Sequence, residues 1–269
     1  MWKRKYFHAF STALQSTMEY RTDFLLGMIG AAFPIFIQVF LWTAIYGGNE
    51  GAVFYSRSYG QMIAYTVIAS ILNKMIRTSF EYEVNNDIKN GDLSKYIVRP
   101  ILYLPYRLSC FLGQKTGHLT ASLGLLALAL VILTLLFGRG VIGLSGVFAF
   151  IPALIMAFVL NFMIFFCVAM WAFWMNEIGF SFEAVRIVFI VLSGGIFPLD
   201  IFGEAMGKVL KFLPFSYTVN FPVDVLSGVK SGMQVVMGFG MQLFWIALLW
   251  GLSLFLWKTG SRKYLAAGG

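Results

Sequence analysis

The feature that most constrains this chain is a succession of long stretches without a single charged residue. Phe24 to Tyr46 holds none across 23 residues, and none lies between Arg139 and Glu177. About 20 apolar residues, rising 1.5 Å each, cross the roughly 30 Å hydrocarbon core of a bilayer. With no water in that core, backbone N–H and C=O groups must pair within the segment, which makes each such stretch a helix.

Composition points the same way. Hydrophobic residues make up 59% of the chain and charged ones 12%, against about 25% charged in soluble domains. A water-soluble fold of this make-up would expose large apolar patches, whereas a lipid bilayer simply solvates them. The net charge of +8 does not indicate nucleic acid. Lys and Arg cap the apolar stretches instead of clustering on one polar face. Cys110 and Cys167 lie in unrelated apolar segments and read as buried thiols, not as a disulfide or metal site.

The expected fold is therefore all-α and integral to the membrane, with about six transmembrane helices. The spans read as Phe24–Tyr46, Tyr59–Phe80, Thr116–Phe137, a fourth within Ser145–Met175, Ile178–Leu199 and Met233–Trp257. Lys74 and Arg77 fall in the last two turns of the second, where their stems can snorkel to the headgroups. Residues 1–22 precede the first span. There Trp2, Tyr6, Phe10, Leu14 and Met18 recur every four residues, the stripe of an amphipathic helix lying in the membrane interface; an extension of the first span is the other reading. Residues 23–269 form one transmembrane domain, with polar interruptions at 81–107 and 198–232.

Six spans put both termini on one side. Grouping the termini, the Glu81–Lys115 loop, the end of the second span and Arg186 gives 15 of the 20 Lys and Arg residues. Arg57, Arg139, Lys208, Lys211 and Lys230 remain opposite. The imbalance predicts cytoplasmic termini in the cell membrane.

Catalytic chemistry is not expected. His8 and His118 are the only histidines, too few for a multi-histidine metal centre. Gly203-Glu-Ala-Met-Gly-Lys208 is one residue short of a phosphate loop, and Val209 stands where the magnesium-binding hydroxyl belongs. The spans also lack the Asp, Glu and His chain of a proton-driven pump. No cofactor or metal is expected in this chain.

The 81–107 interruption reads as an ordered element. Glu81 to Asn90 continues the second helix, Gly91 offers a left-handed cap, and Asp92 can cap a short helix from Leu93 to Val98. That helix stops before Pro100, and Pro105 is a second stop. Ile88, Leu93, Tyr96 and Ile97 are expected on its surface, as an apolar docking knob.

The stretch Asn86-Asp-Ile-Lys-Asn-Gly-Asp-Leu-Ser-Lys-Tyr-Ile-Val-Arg-Pro100 resembles the segment after the second span in permease subunits of type-2 ABC transporters. Leu192-Ser-Gly-Gly-Ile-Phe-Pro-Leu199, Leu213-Pro-Phe-Ser-Tyr217 and Pro222 to Gly228 resemble that family's broken, re-entrant extracellular segment before the last span. The likeness covers essentially the whole chain. It implies an exporter-like permease that pairs with an identical or sister permease and docks separate ATPase subunits, which carry the ATP and magnesium. Asp87, Ile88, Gly91, Leu93, Tyr96, Arg99 and Pro100 would then form the ATPase-coupling element. Pro198, Pro214, Phe215 and Pro222 would shape an external gate.

A secondary transporter or channel without an ATPase is the competing reading. It needs polar groups at mid-membrane, and the candidates are Asn161, Glu183 and Arg186. A lone Asn inside a span can equally serve as a helix–helix hydrogen bond. Glu183 and Arg186, three residues apart, either pair with each other inside the protein or both reach the headgroups.

Overall fold

The computed structural model describes residues 2–19, 21–47, 53–55, 57–98, 101–138, 144–175 and 178–267. In these residues the chain is almost wholly helical. Helix α1 (Trp2–Glu19) leads into α2 (Arg21–Tyr46). A two-residue antiparallel ladder, Val53–Phe54 against Arg57–Ser58, then turns the chain into α3 (Tyr59–Ile76). Helix α3 starts on a capping box. The Ser58 hydroxyl accepts the Gln61 N–H at 3.4 Å while the Gln61 side chain accepts the Ser58 N–H at 3.0 Å, so two end donors are satisfied reciprocally.

After α3 come α4 (Phe80–Lys89), the single turn α5 (Ser94–Ile97) and the long α6 (Tyr103–Phe137). Helix α7 (Leu144–Ala169) continues as a tighter turn through Phe173. Helices α8 (Gly179–Leu192), α9 (Gly203–Phe212), α10 (Asn220–Leu226) and α11 (Met233–Ala267) complete the chain. Gly146–Phe173 and Met233–Tyr264 have both the length and the hydropathy of membrane spans, with mean values of 2.6 and 1.8; Phe33–Tyr46 and Ser122–Phe137 are shorter apolar helices.

Three elements depart from the sequence reading. Pro105 does not stop a helix; it sits in the first turn of α6, where its missing N–H would have had no helical partner. Helix α6 therefore reaches 13 residues further back than Thr116. Helix α8 has 14 residues, roughly 21 Å at 1.5 Å each, and falls short of the hydrocarbon thickness. The chain turns at Ser193 and Gly194 instead of continuing to Leu199. Helix α11 has 35 residues, or roughly 52 Å, longer than the hydrocarbon core is thick and ten residues longer toward its basic end than Met233–Trp257.

Helix α7 lies at the centre, packed by α11, α10, α3 and α4. Its Phe162 stacks on Phe80 of α4 with ring centroids 4.5 Å apart and meets Phe111 of α6 at 5.3 Å. Such pairs add about 0.5–1.5 kcal/mol each beyond area burial, and they tie three helices at one level. Between helices in lipid, close packing replaces the hydrophobic drive, so small residues mark the tightest contacts. A Cβ on Gly113 would lie 2.3 Å from the Phe10 carbonyl oxygen, which is why α1 can lie along α6. A Cβ on Gly146 would lie 2.1 Å from the Val225 carbonyl, where α10 crosses α7.

Candidate functional site

The second apolar helix is broken. Residues 77–79 leave the helical path between α3 and α4, freeing buried carbonyls that the helix no longer pairs. Two side chains from elsewhere in the chain reach them. Asn161 of α7, 1% exposed, donates its amide to the carbonyl of Ile76, and Arg186 of α8 donates to that of Thr78 at 3.2 Å. The same guanidinium pairs with Glu81, which is wholly buried in the first turn of α4. Arg186 also packs near the rings of Tyr82 and Phe165, 6.0 and 5.9 Å from their centres. Two of the three intramembrane candidates thus converge on one joint.

Glu183 has a different place from the one expected. Its side chain is 51% exposed, accepts the Tyr82 hydroxyl at 2.6 Å and lies 3.5 Å from Arg186. The pair does form, yet Arg186 faces inward to Glu81 and is only 10% exposed, so the two residues neither share one buried site nor snorkel together. The sequence did not signal Glu81 as the partner because 105 residues separate it from Arg186.

Beyond the joint, α4 is stapled to α6. Arg107 binds Asp87 and, at 2.6 Å, Glu83. The Tyr103 hydroxyl donates to Asp87 at 2.5 Å and accepts from Arg107 Nε at 3.1 Å, and Gln114 donates to Glu83 at 3.3 Å. Glu83 and Asp87 are four residues apart on α4, as Tyr103 and Arg107 are on α6. That matched spacing was the signal in the sequence, but it requires knowing that α6 begins at Tyr103.

The network changes the expected docking surface. Ile88 and Leu93 are not exposed: Leu93 is completely buried and Ile88 is 6% exposed, both in the core beneath α4 and α5. Helix α4 packs against α7 and the tight turn that follows it. Tyr96 is half-buried, its ring 5.2 Å from Tyr103 and 5.1 Å from Tyr106. Asp92 does not cap α5; it pairs with Lys95 at 2.6 Å on the surface. Gly91, at φ +80°, turns the chain where few other residues could. Among the described residues, the outward surface of α4 and α5 includes Asn86, Lys89, Asn90, Gly91, Ser94, Lys95 and Val98, the last 81% exposed. Arg99, Pro100 and the Ile97 side chain lie outside the described residues.

At the opposite end, the segment after α8 folds over α3. Gly194, at φ +78°, accepts the Tyr65 hydroxyl at 2.8 Å; a Cβ there would lie 2.6 Å from that oxygen. Asn220 donates its amide to the same hydroxyl at 3.1 Å and its backbone N–H to Ser193 at 2.9 Å. Pro198 and Pro214 are buried at the starts of tight turns, Pro222 is buried in the first turn of α10, and Phe215 meets Phe189 of α8 edge-on at 5.9 Å. The four gate candidates therefore belong to one packed cap but do not form a cluster among themselves.

The cap is locked by charges the sequence reading missed. Arg57, 2% exposed, binds Asp224 at 2.7 Å and Asp200 at 3.4 Å and lies over the Tyr65 ring. Lys211 binds Asp200 at 2.8 Å and Lys230 binds Asp224 at 3.3 Å. Burial pushes the Asp200 carboxyl up, but the Lys211 hydrogen bond and the nearby cations prevail and hold it below the ordinary carboxylate range. With its carboxylate engaged here, Asp200 does not cap α9, on which Glu204 and Lys208 pair at 2.8 Å. Among the residues described, no three His, Cys, Asp or Glu side chains come together as a metal site.

The family model described as "ABC-2 family transporter protein" matches residues 32–268. No curated protein matches the chain.

Proposed function

The chain belongs to the ABC-2 family of transporters, and on that premise we propose that it is the membrane-embedded permease subunit of an exporter driven by separate ATPase subunits. It forms the translocation path with a second permease, identical or sister, while ATP and magnesium are bound by the partner. Both termini and the α4–α5 element face the cytoplasm.

One observation carries this reading. The α4–α5 element is bound rigidly to α6 through Arg107, yet it is separated from α3 by a non-helical joint. A force on its exposed surface would move α4 and α6 together and bend the chain at residues 77–79. Asn161 and Arg186 would pass that bend to α7 and α8. Helix α8 leads directly into the outer cap, so motion at the inner face reaches the proposed exit. The competing secondary transporter gains no support, since Asn161 and Arg186 are occupied in holding backbone and Glu183 is half exposed.

Affinity purification of the full chain from its native membrane, with identification of co-purifying subunits, tests the reading. An ATP-binding protein in fixed proportion is expected. A complex of permease chains alone, active in transport without ATP, would exclude it.

A further inference from the structure

At the start of α11 a cavity of about 420 Å³ opens beneath the outer cap, within the size range of small-ligand sites. One side is charged, with Asp200, Lys211, Asp224 and Lys230; the other is apolar, formed by Phe221, Met237 and Met241. The charges do not balance. Three cations, Arg57, Lys211 and Lys230, share two carboxylates, Asp200 and Asp224. Arg57 is buried, with its Nε and Nη1 atoms unpartnered. The surplus positive charge therefore falls to the two lysines of the cavity wall, each with spare N–H donors and each partly open to solvent, at 49% and 24% exposure. A compact ammonium in that setting recruits an anion.

The apolar wall indicates what carries the anion. Met237, in the apolar lining, is 61% exposed, so an apolar chain can reach this wall from outside the protein. We propose that this cavity binds an anionic headgroup between Lys211 and Lys230, with the attached chain lying along Phe221, Met237 and Met241. The headgroup belongs to a lipid of the outer leaflet; a free phosphate would satisfy the same lysines without using the apolar wall.

The test is thermal unfolding of the purified full chain in neutral detergent, with phosphatidylglycerol, phosphatidylcholine or inorganic phosphate added. Phosphatidylglycerol should raise the unfolding midpoint in a saturable way, and phosphatidylcholine should not. The shift should disappear in the Lys211→Gln, Lys230→Gln double variant and persist in Lys95→Gln at the other end of the molecule. An equal shift with inorganic phosphate alone, lost in the same variant, keeps the anion site and assigns it to a soluble ligand. If the double variant does not fold, Lys211→Gln alone decides, because Asp200 retains Arg57 and the ligand shift should at least halve. Equal stabilisation by phosphatidylcholine, no shift with either anion, or an undiminished shift in the lysine variants would each overturn the site.

Discussion

Asn161, at the middle of α7, hydrogen-bonds through its side-chain amide to the carbonyl of Ile76, the last residue of α3. The second helix can therefore break without leaving that buried carbonyl unpaired. Beside it, Arg186 serves the carbonyl of Thr78, and together they turn an interruption into a defined joint between α3 and α4.

Asn161→Leu should weaken that joint. Hydrogen bonds between helices in a bilayer are worth about 0.6 kcal/mol on average and up to about 1.7, and the unpaired carbonyl adds a desolvation cost. A loss of about 1–2 kcal/mol is expected, read as a lower unfolding midpoint in detergent. Transport should fall further than stability does. Wild-type transport in a variant with the lowered midpoint would show that the joint has no part in coupling.

The two glutamates near Arg186 should behave differently. Glu81 is wholly buried, and removing one partner of a buried ion pair costs about 3–5 kcal/mol. Glu81→Gln should therefore abolish or severely reduce folded protein, and adding Arg186→Gln should partly restore it. Glu183 is half exposed, and its loss should cost no more than about 1 kcal/mol. Quantified yields of monodisperse protein for Glu81→Gln, Glu183→Gln and the Glu81→Gln, Arg186→Gln double variant separate these outcomes; equal effects of the two single changes would contradict the geometry.

At the inner surface, Leu93→Asp places a charge in the core beneath α5 and should reduce folding, so it cannot report on docking. Val98→Asp changes a side chain that is 81% exposed. It should leave the unfolding midpoint within about 0.5 kcal/mol of wild type and still reduce recovery of the ATPase subunit, since truncating an interface anchor costs about 2 kcal/mol. Recovery unchanged in Val98→Asp would move the docking surface away from α5.

The outer cap should be acid-sensitive through Asp200. Its carboxyl is held below the ordinary value of 3.8 in the folded chain, so the ionised form is the one that folding favours. The resulting stability is fully present above 3.8 and is lost as the pH falls through the depressed value. Lys211→Gln removes the hydrogen bond that opposes burial and lets the carboxyl rise toward its ordinary value, so the variant should be less stable than wild type above 3.8 and should lose less on acidification. Unfolding midpoints of both proteins between pH 3 and pH 6 check the sign; superimposable profiles would contradict it.

Much of the helical order could be read from the sequence because an uncharged run of this length admits few alternatives. The joint at residues 77–79 could not. Arg77, Thr78 and Ser79 include no Pro or Gly, and the break is held by side chains of α7 and α8 that are distant in sequence. The docking surface was misjudged for a related reason: Leu93 reads as exposed while 81–107 is taken as a projecting loop, whereas the turn at Gly91 brings Leu93 back to bond the Asp87 carbonyl and buries it in the core. Glycine at 194 was legible as part of a motif, but its cause, the Tyr65 hydroxyl and Asn220 crossing within van der Waals reach, belongs to the folded state.

The central claim is that the exposed face of α5 is where a separate ATPase meets this permease, and site-specific photocrosslinking measures that contact directly. A photoreactive residue at Val98 or Lys95, in cells that produce the complex at native levels, should yield an adduct with an ATP-binding subunit. The same residue at Val229, beside the outer cavity, should yield none. Adducts from neither inner position, or an ATPase adduct from Val229, would contradict the account.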